Sequence, residues 1–275
     1  MTRNKKLVLI VLNGHEFTAK HRLPLIKHLM NLEYQVKCVV PERSNAGNLL
    51  VDNNIEIISW NISRSGKNIF SEVKNIFSLI KIYKSQNPFL VIHATIKPVI
   101  YGTVASKFIS CKVGNLITGL GSVFIQENFK NKLIRFIVTK VYHFLFRFFN
   151  QTIIFQNESD RQLLVGKKKF NRIKYAVVPG SGIDCPSKSS GELSKKLNVT
   201  FIGRVIYEKG IQTIINASKK VKKIRNDIEF NLIGPIDTEN PSSISKGQVK
   251  LWEEKGLINW YGKVDNIDDY YINSR

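Results

Sequence analysis

Little sulfur, few acidic residues and no long apolar run mark this sequence of 275 residues. The three cysteines, Cys38, Cys111 and Cys185, are dispersed and odd in number. That excludes a disulfide framework and a CxxC metal site, and fits a reducing compartment. Acidic residues number 21 against 42 lysines and arginines, so the formal net charge is +21. Charged residues make up 23% and aromatics 10%, so the positive excess comes from missing acids and not from a charged tail. No segment approaches the roughly 20 uninterrupted apolar residues of a membrane-spanning helix. The apolar start, Leu7 to Leu12, runs straight into Asn13-Gly14-His15. It is too short for the core of a signal peptide and suits a buried strand.

The 43% hydrophobic share is enough to build two cores at about 100–200 residues per domain. Short apolar runs at 6–12, 35–40, 55–60, 88–94, 113–118, 152–156 and 175–178 read as strands. Between them, 21–32, 73–85, 98–109, 129–150 and a segment from 159 read as helices, with 13–18 a turn. Strands this apolar, separated by helices, belong to a parallel sheet covered on both faces. Residues 184–196, rich in Ser, Lys and Gly, read as a linker. The pattern then restarts, with strands at 198–202, 229–233 and 258–261, helices at 210–223 and 249–255, and a helix opening at 267–272. The expected class is α/β, with two doubly wound Rossmann-like units facing a cleft: an N-terminal domain 1–184, a linker 185–196 and a unit 197–275. The site is expected in the crevice at the carboxyl ends of the strands.

The segment from Gly203 to Gly210 carries the clearest chemistry. A strand delivers Gly203, Arg204 and Lys209 lie five residues apart, and Gly210 opens a helix whose free N–H groups favour an anion. Arg204 can fork two oxygens of a diphosphate, and Lys209 adds a point charge. The plain alternative is a surface loop with two solvated cations.

Several elements in fixed order resemble glycosyltransferase family 4, bacterial sugar transferases with the two-domain GT-B fold that extend lipid-linked surface oligosaccharides. They are the Gly14 loop with Arg22-Leu23-Pro24-Leu25-Ile26, His93-Ala94-Thr95-Ile96-Lys97-Pro98 and Ile117-Thr118-Gly119-Leu120-Gly121. Phe155-Gln156-Asn157-Glu158-Ser159-Asp160, Pro179-Gly180-Ser181-Gly182-Ile183-Asp184 and the Gly203–Gly210 loop follow. The resemblance implies that Gly203, Arg204, Lys209 and Gly210 hold the nucleotide diphosphate and stabilise it as a leaving group. It places Gly14 near the donor phosphates and Gly262, in Tyr261-Gly262-Lys263-Val264, near the nucleobase. Gly119 and Gly121 go to the acceptor side. It further implies retention of anomeric configuration, a UDP-linked donor as co-substrate with no separate cofactor, and no metal, since Arg204 and Lys209 supply the positive charge.

His93 ends an apolar strand, where an imidazole facing the cleft would handle a proton or bind a sugar hydroxyl. The alternative is a structural histidine at the strand end. Lys97 either binds an acceptor phosphate or is a solvated lysine ahead of Pro98. Glu158 and Asp160 read as helix N-terminal residues and not as a catalytic pair. The 129–150 helix is apolar and Phe-rich over a wide face, with Lys132, Arg135 and Arg147 among its polar positions. It either lies on an anionic membrane surface or packs inside the protein with snorkelling cations. The first reading gives a cytoplasmic protein, peripheral on the inner face of the inner membrane, acting on a lipid-linked glycan.

Basic charge without a helix-turn-helix, zinc or RNP signature argues against a nucleic-acid partner. The family also implies a larger second domain bearing a Glu-x7-Glu element, which does not occur at its expected place after Leu197. The expectation is therefore an incomplete sequence or a truncated product, with little activity in residues 1–275 alone.

Overall fold

Seven parallel strands form the first sheet: β1 (Leu7–Val11), β2 (Gln35–Pro41), β3 (Glu56–Trp60), β4 (Leu90–Ala94), β5 (Lys112–Ile117), β6 (Gln151–Phe155) and β7 (Ile173–Val177). The computed structural model describes residues 5–14, 16–41, 44–60, 62, 69–120, 124, 129–168, 170–182, 197–238, 240, 242–264, 266–267 and 270. The strand order is β3-β2-β1-β4-β5-β6-β7, so the order reverses between β1 and β4. The connecting helices are α1 (Glu16–Lys20), α2 (Leu23–Asn31), α3 (Asn45–Asp52), α4 (Ile69–Gln86), α5 (Ile96–Ser106), α6 (Phe129–Phe148) and α7 (Glu158–Leu164). Two compact units divide the chain at Ile183 and Asp184. The expected linker, 185–196, lies outside the described residues, as does Gly121.

Side-chain alternation explains why β1 is apolar throughout. Val8, Ile10 and Leu12 pack with Ile26 of α2 and Leu50 of α3. Leu9 and Val11 pack on the other face with Trp60, Leu79 and Tyr83. A strand covered on both faces has no solvent side to make polar. Pro24 falls in the first turn of α2, where its missing N–H costs nothing.

Two helices depart from the sequence reading. The stretch expected as a turn, 13–18, overlaps α1, and α3 was not expected at all. Its composition, with Gly47 and two Asn, disfavours a helix. Capping of Gly47 N by Ser44 Oγ at 3.2 Å and burial of Ala46, Gly47 and Leu50 hold it instead. At α7 the Asn157 side chain accepts from Asp160 N at 2.7 Å, and Glu158 pairs with Arg161 at 2.5 Å, as the capping reading of Glu158 and Asp160 requires.

Helix α6 packs into the first unit on one face and is exposed on the other. Its inner face buries Tyr142, Leu145 and Phe146 against β6 and α7 residues Ile153, Phe155 and Leu164. Its outer face exposes Phe129, Leu133, Phe136, Ile137, Phe144 and Phe148 at helical spacing. None of the helices among the described residues is long and apolar enough to cross a membrane.

The second unit has three parallel strands in the order β10-β9-β8: β8 (Leu197–Ile202), β9 (Ile228–Ile233) and β10 (Asn259–Gly262). Helices α8 (Ile211–Val221) and α9 (Lys246–Glu254) cover them through Ile211, Ile215, Val249 and Trp252.

Candidate functional site

In the second unit, a glycine stands at or just after the end of each strand: Gly203 after β8, Gly234 after β9 and Gly262 at the end of β10. Backbone links join them. Gly203 N donates to Ile233 O at 2.8 Å, and Gly234 N donates to Gly262 O at 2.7 Å. A Cβ on Gly234 would stand 1.9 Å from Gly203 O, so no other residue fits there. The result is a rim of bare backbone that another group can approach closely.

From this rim rises the loop leading to α8. Val205 and Ile206 are buried and anchor it, while Arg204 and Lys209 stay exposed. The segment after β9 pins it further: Val205 N donates to Pro235 O at 3.0 Å and Tyr207 N to Ser242 O at 3.0 Å. The Ser242 hydroxyl donates to Glu208. Arg204 Nη1 lies 2.7 Å from Asp237 Oδ2. A single 3-10 turn, Tyr207–Lys209, carries Lys209 to Gly210 at the start of α8. The structure thus brings Gly203, Arg204, Lys209, Gly210 and Gly262 to one end of one small sheet. Sequence reasoning assigned no role to Gly234, Asp237 or Ser242.

In the first unit, an open cavity of about 390 Å3 lies by the carboxyl ends of the strands, lined by Thr18, His21, Arg22, Thr118, Gln156 and Ser181, with Gly180 and Gly182. Arg22 is only 7% exposed, and burial lowers its pKa. Arg22 Nη2 donates to Ser181 Oγ at 2.7 Å, and Gln156 Nε2 donates to the same oxygen at 3.0 Å. Arg22 Nε is buried with no hydrogen-bond partner. Arg22 was quoted in the sequence only as part of a motif. The structure puts it at the N-cap of α2, where Ser or Asp is preferred and where the helix dipole opposes a cation.

His93 requires correction. It is 0% exposed and faces no cleft. Its Nδ1 lies 2.6 Å from Asn115 Oδ1 and its Nε2 lies 2.9 Å from Tyr83 Oη. The hydrogen-bond chain fixes the tautomer: the Leu145 carbonyl takes Gln151 Nε2, Gln151 Oε1 takes Asn115 Nδ2, and Asn115 Oδ1 takes the His93 proton. Nε2 therefore accepts from Tyr83. Burial lowers the pKa of His93 to about 4, opposed by its bond to Asn115, so the ring is neutral. β4 is covered on both faces, and His93 shares Val91's inward face.

Lys97 also requires correction. Its ammonium sits 2.9 Å from Glu72 Oε1 of α4. Glu72 Oε2 accepts from Tyr101 and Asn75 as well, so the charge serves an internal network. Thr95, between these two residues, has φ 78, which is strained for a β-branched side chain. Gly14 follows β1, with its carbonyl accepting from Ala46 N at 3.3 Å, and Gly119 follows β5. On α6, Lys132 and Arg147 are exposed. Arg135 instead is half-buried, with its guanidinium 5.7 Å from the Phe124 ring. That stacking removes it from the exposed face.

Two parallel α/β units, each with its candidate residues at the carboxyl ends of its strands, are those of a GT-B glycosyltransferase. The chain belongs to the glycosyl transferase 4-like family, whose model matches residues 6–157. It is 31% identical to the N,N'-diacetylbacillosaminyl-diphospho-undecaprenol alpha-1,3-N-acetylgalactosaminyltransferase of Campylobacter jejuni, over 82% of this chain and 62% of the relative. It therefore spans less than two thirds of that relative's length. Among solved structures it is similar to a glycosyltransferase from Rickettsia africae, with TM-score 0.66 and 17% identity over 99% of this chain and 72% of that one. It is also similar to Anabaena HepE in complex with UDP, with TM-score 0.69 and 15% identity over 96% of this chain and 71% of that one.

Proposed function

We propose that the protein transfers a hexose or N-acetylhexosamine from a UDP-sugar to a hydroxyl of a lipid-linked oligosaccharide, with retention at the anomeric carbon and without a metal ion. One observation carries this reading: a loop anchored by Val205 and Ile206 presents Arg204 and Lys209 above a rim of bare glycine backbone. Arg204 forks two diphosphate oxygens, and Lys209 adds a compact charge. As the bond from sugar to diphosphate breaks, negative charge grows on the leaving group, and fixed cations stabilise it more than the ground state. This is the service a metal would otherwise give. The Campylobacter relative's name supports a diphospho-undecaprenol-linked acceptor, and the UDP in the HepE structure makes UDP the nucleotide to test first.

The outer face of α6 supports a place on a membrane surface. Phe129 is 87% and Phe136 60% exposed, and Lys132 and Arg147 are exposed on the same helix. Apolar rings enter the acyl boundary while the cations meet anionic headgroups. Flotation with vesicles rich in phosphatidylglycerol, but not with neutral vesicles, is the expected result; equal behaviour with both removes the membrane reading.

The catalytic reading is tested by sugar transfer from UDP-sugars to undecaprenyl-diphosphate-linked acceptors, together with UDP binding. Arg204→Ala and Lys209→Ala are each expected to lower transfer by about a hundredfold. Unchanged transfer in both variants overturns the diphosphate role.

A further inference from the structure

The first unit's cavity is a place built for negative charge that the transferase reading has not used. Among the described residues, its one formally charged lining group is Arg22, and no carboxylate lines it. Burying an arginine at 7% exposure without a counter-ion is costly unless something compensates it. Lys97, the cation suggested by sequence for an acceptor phosphate, is already paired with Glu72. Arg22 has no ion pair among the described residues, and its Nε has no partner.

Ser181 adds a second argument. A hydroxyl oxygen has two lone pairs and one proton. Arg22 Nη2 and Gln156 Nε2 both donate to Ser181 Oγ, so both lone pairs are taken and the hydroxyl is left to act as a donor. Thr18 and Thr118 bring two more hydroxyls to the same walls. The pKa of His21 is lowered, first by burial and then by the charges of Arg22 and Lys20, which marks the region as positive.

We infer that this cavity binds a phosphoryl group, with Arg22 and the Ser181 hydroxyl as its donors. A volume of about 390 Å3 admits a diphosphate and part of what it is esterified to. The source of the group, the diphosphate of a lipid-linked acceptor or that of the nucleotide sugar, rests on the function proposed above.

The test is calorimetric titration of the full chain with inorganic pyrophosphate, farnesyl diphosphate and UDP. It is done in an Arg204→Ala, Lys209→Ala background, which removes both cations of the second unit's loop. Adding Ser181→Ala is expected to weaken pyrophosphate about tenfold and adding Arg22→Gln about a hundredfold. Circular dichroism checks each fold, and Ser181→Ala decides alone if Arg22→Gln does not fold. A matching loss for farnesyl diphosphate but not UDP assigns the site to the acceptor; the reverse assigns it to the donor. Pyrophosphate affinity that is absent, or unchanged in folded variants, overturns the site. Arg22-dependent pyrophosphate binding in a protein that transfers no sugar would leave this site standing and end the transferase reading. Sugar transfer with pyrophosphate affinity independent of Arg22 would do the opposite.

Discussion

Arg204 and Asp237 form an ion pair, Nη1 to Oδ2 at 2.7 Å, across the two loops that leave β8 and β9. Arg204 remains 48% exposed at its side chain, so the pair contributes little to stability. Its significance is competitive: a diphosphate must draw the guanidinium from the carboxylate. Asp237→Asn is expected to leave the urea midpoint nearly unchanged and to tighten UDP binding about two- to fivefold. Weaker UDP binding would show instead that Asp237 orients Arg204 for its ligand.

The close approach of Gly102 to the His93 ring makes a sharper stability test. Helix propensity alone favours Gly102→Ala by about 1 kcal/mol. Yet an added Cβ would stand 2.2 Å from His93 Nε2, and the ring is held by Tyr83 and Asn115. Overpacking of about 3 kcal/mol wins, for a net loss of about 2 kcal/mol by urea denaturation. A stabilised variant would mean that the ring moves freely.

Protonation of the same ring gives a pH dependence. His93 has a folded pKa of about 4 against 6.5 unperturbed, so the unfolded chain binds the proton more readily. Stability from this group is full above pH 6.5 and is lost as pH falls toward 4, by about 3 kcal/mol in all. Urea titrations between pH 7.5 and 4 should show this slope in the wild type and a flatter one in His93→Gln. Equal slopes would remove His93 as the source.

Truncation of Asn115 removes bonds to His93, Thr103 and Gln151 at once and leaves three buried partners unsatisfied. Asn115→Ala is expected to cost about 3–5 kcal/mol, measured by chemical denaturation. A cost under about 1 kcal/mol would mean that water replaces the lost bonds.

Thr95 holds φ 78, and its Oγ1 is buried without a partner. Thr95→Gly relieves both and is expected to raise stability by about 1 kcal/mol after the entropy cost of glycine. Lowered sugar transfer in that more stable variant would tie the strain to function, and a fall in thermal midpoint would refute it.

Sequence alone reached the strands and the second unit's loop because both depend on local pattern. The run Leu7 to Leu12 could only be a strand covered on both sides, and Gly203 to Gly210 places its cations whatever lies nearby. The misses depended on distant partners. His93 at a strand end looked available, but α4 supplies Tyr83 and α5 supplies Gly102 to enclose it. Lys97 looked free until Glu72 met it. α3 has poor propensity and exists through its cap and its buried side. Arg22 fell inside the expected helix 21–32, and its meaning depends on Ser181, 159 positions away.

The buried chain of Gln151, Asn115 and His93 also answers a question of alignment. β4 and β5 are parallel and covered on both faces, so apolar residues alone would not oppose a slip that moves them from one face to the other. His93 pairs with Asn115 and Ala94 with Leu116 in the observed register. A slip by one residue would set Asn115 opposite Ala94 or Ile92 and strand its amide in hydrocarbon. These polar residues therefore act as a key in a lock, admitting one alignment of the strands whose ends carry the cavity.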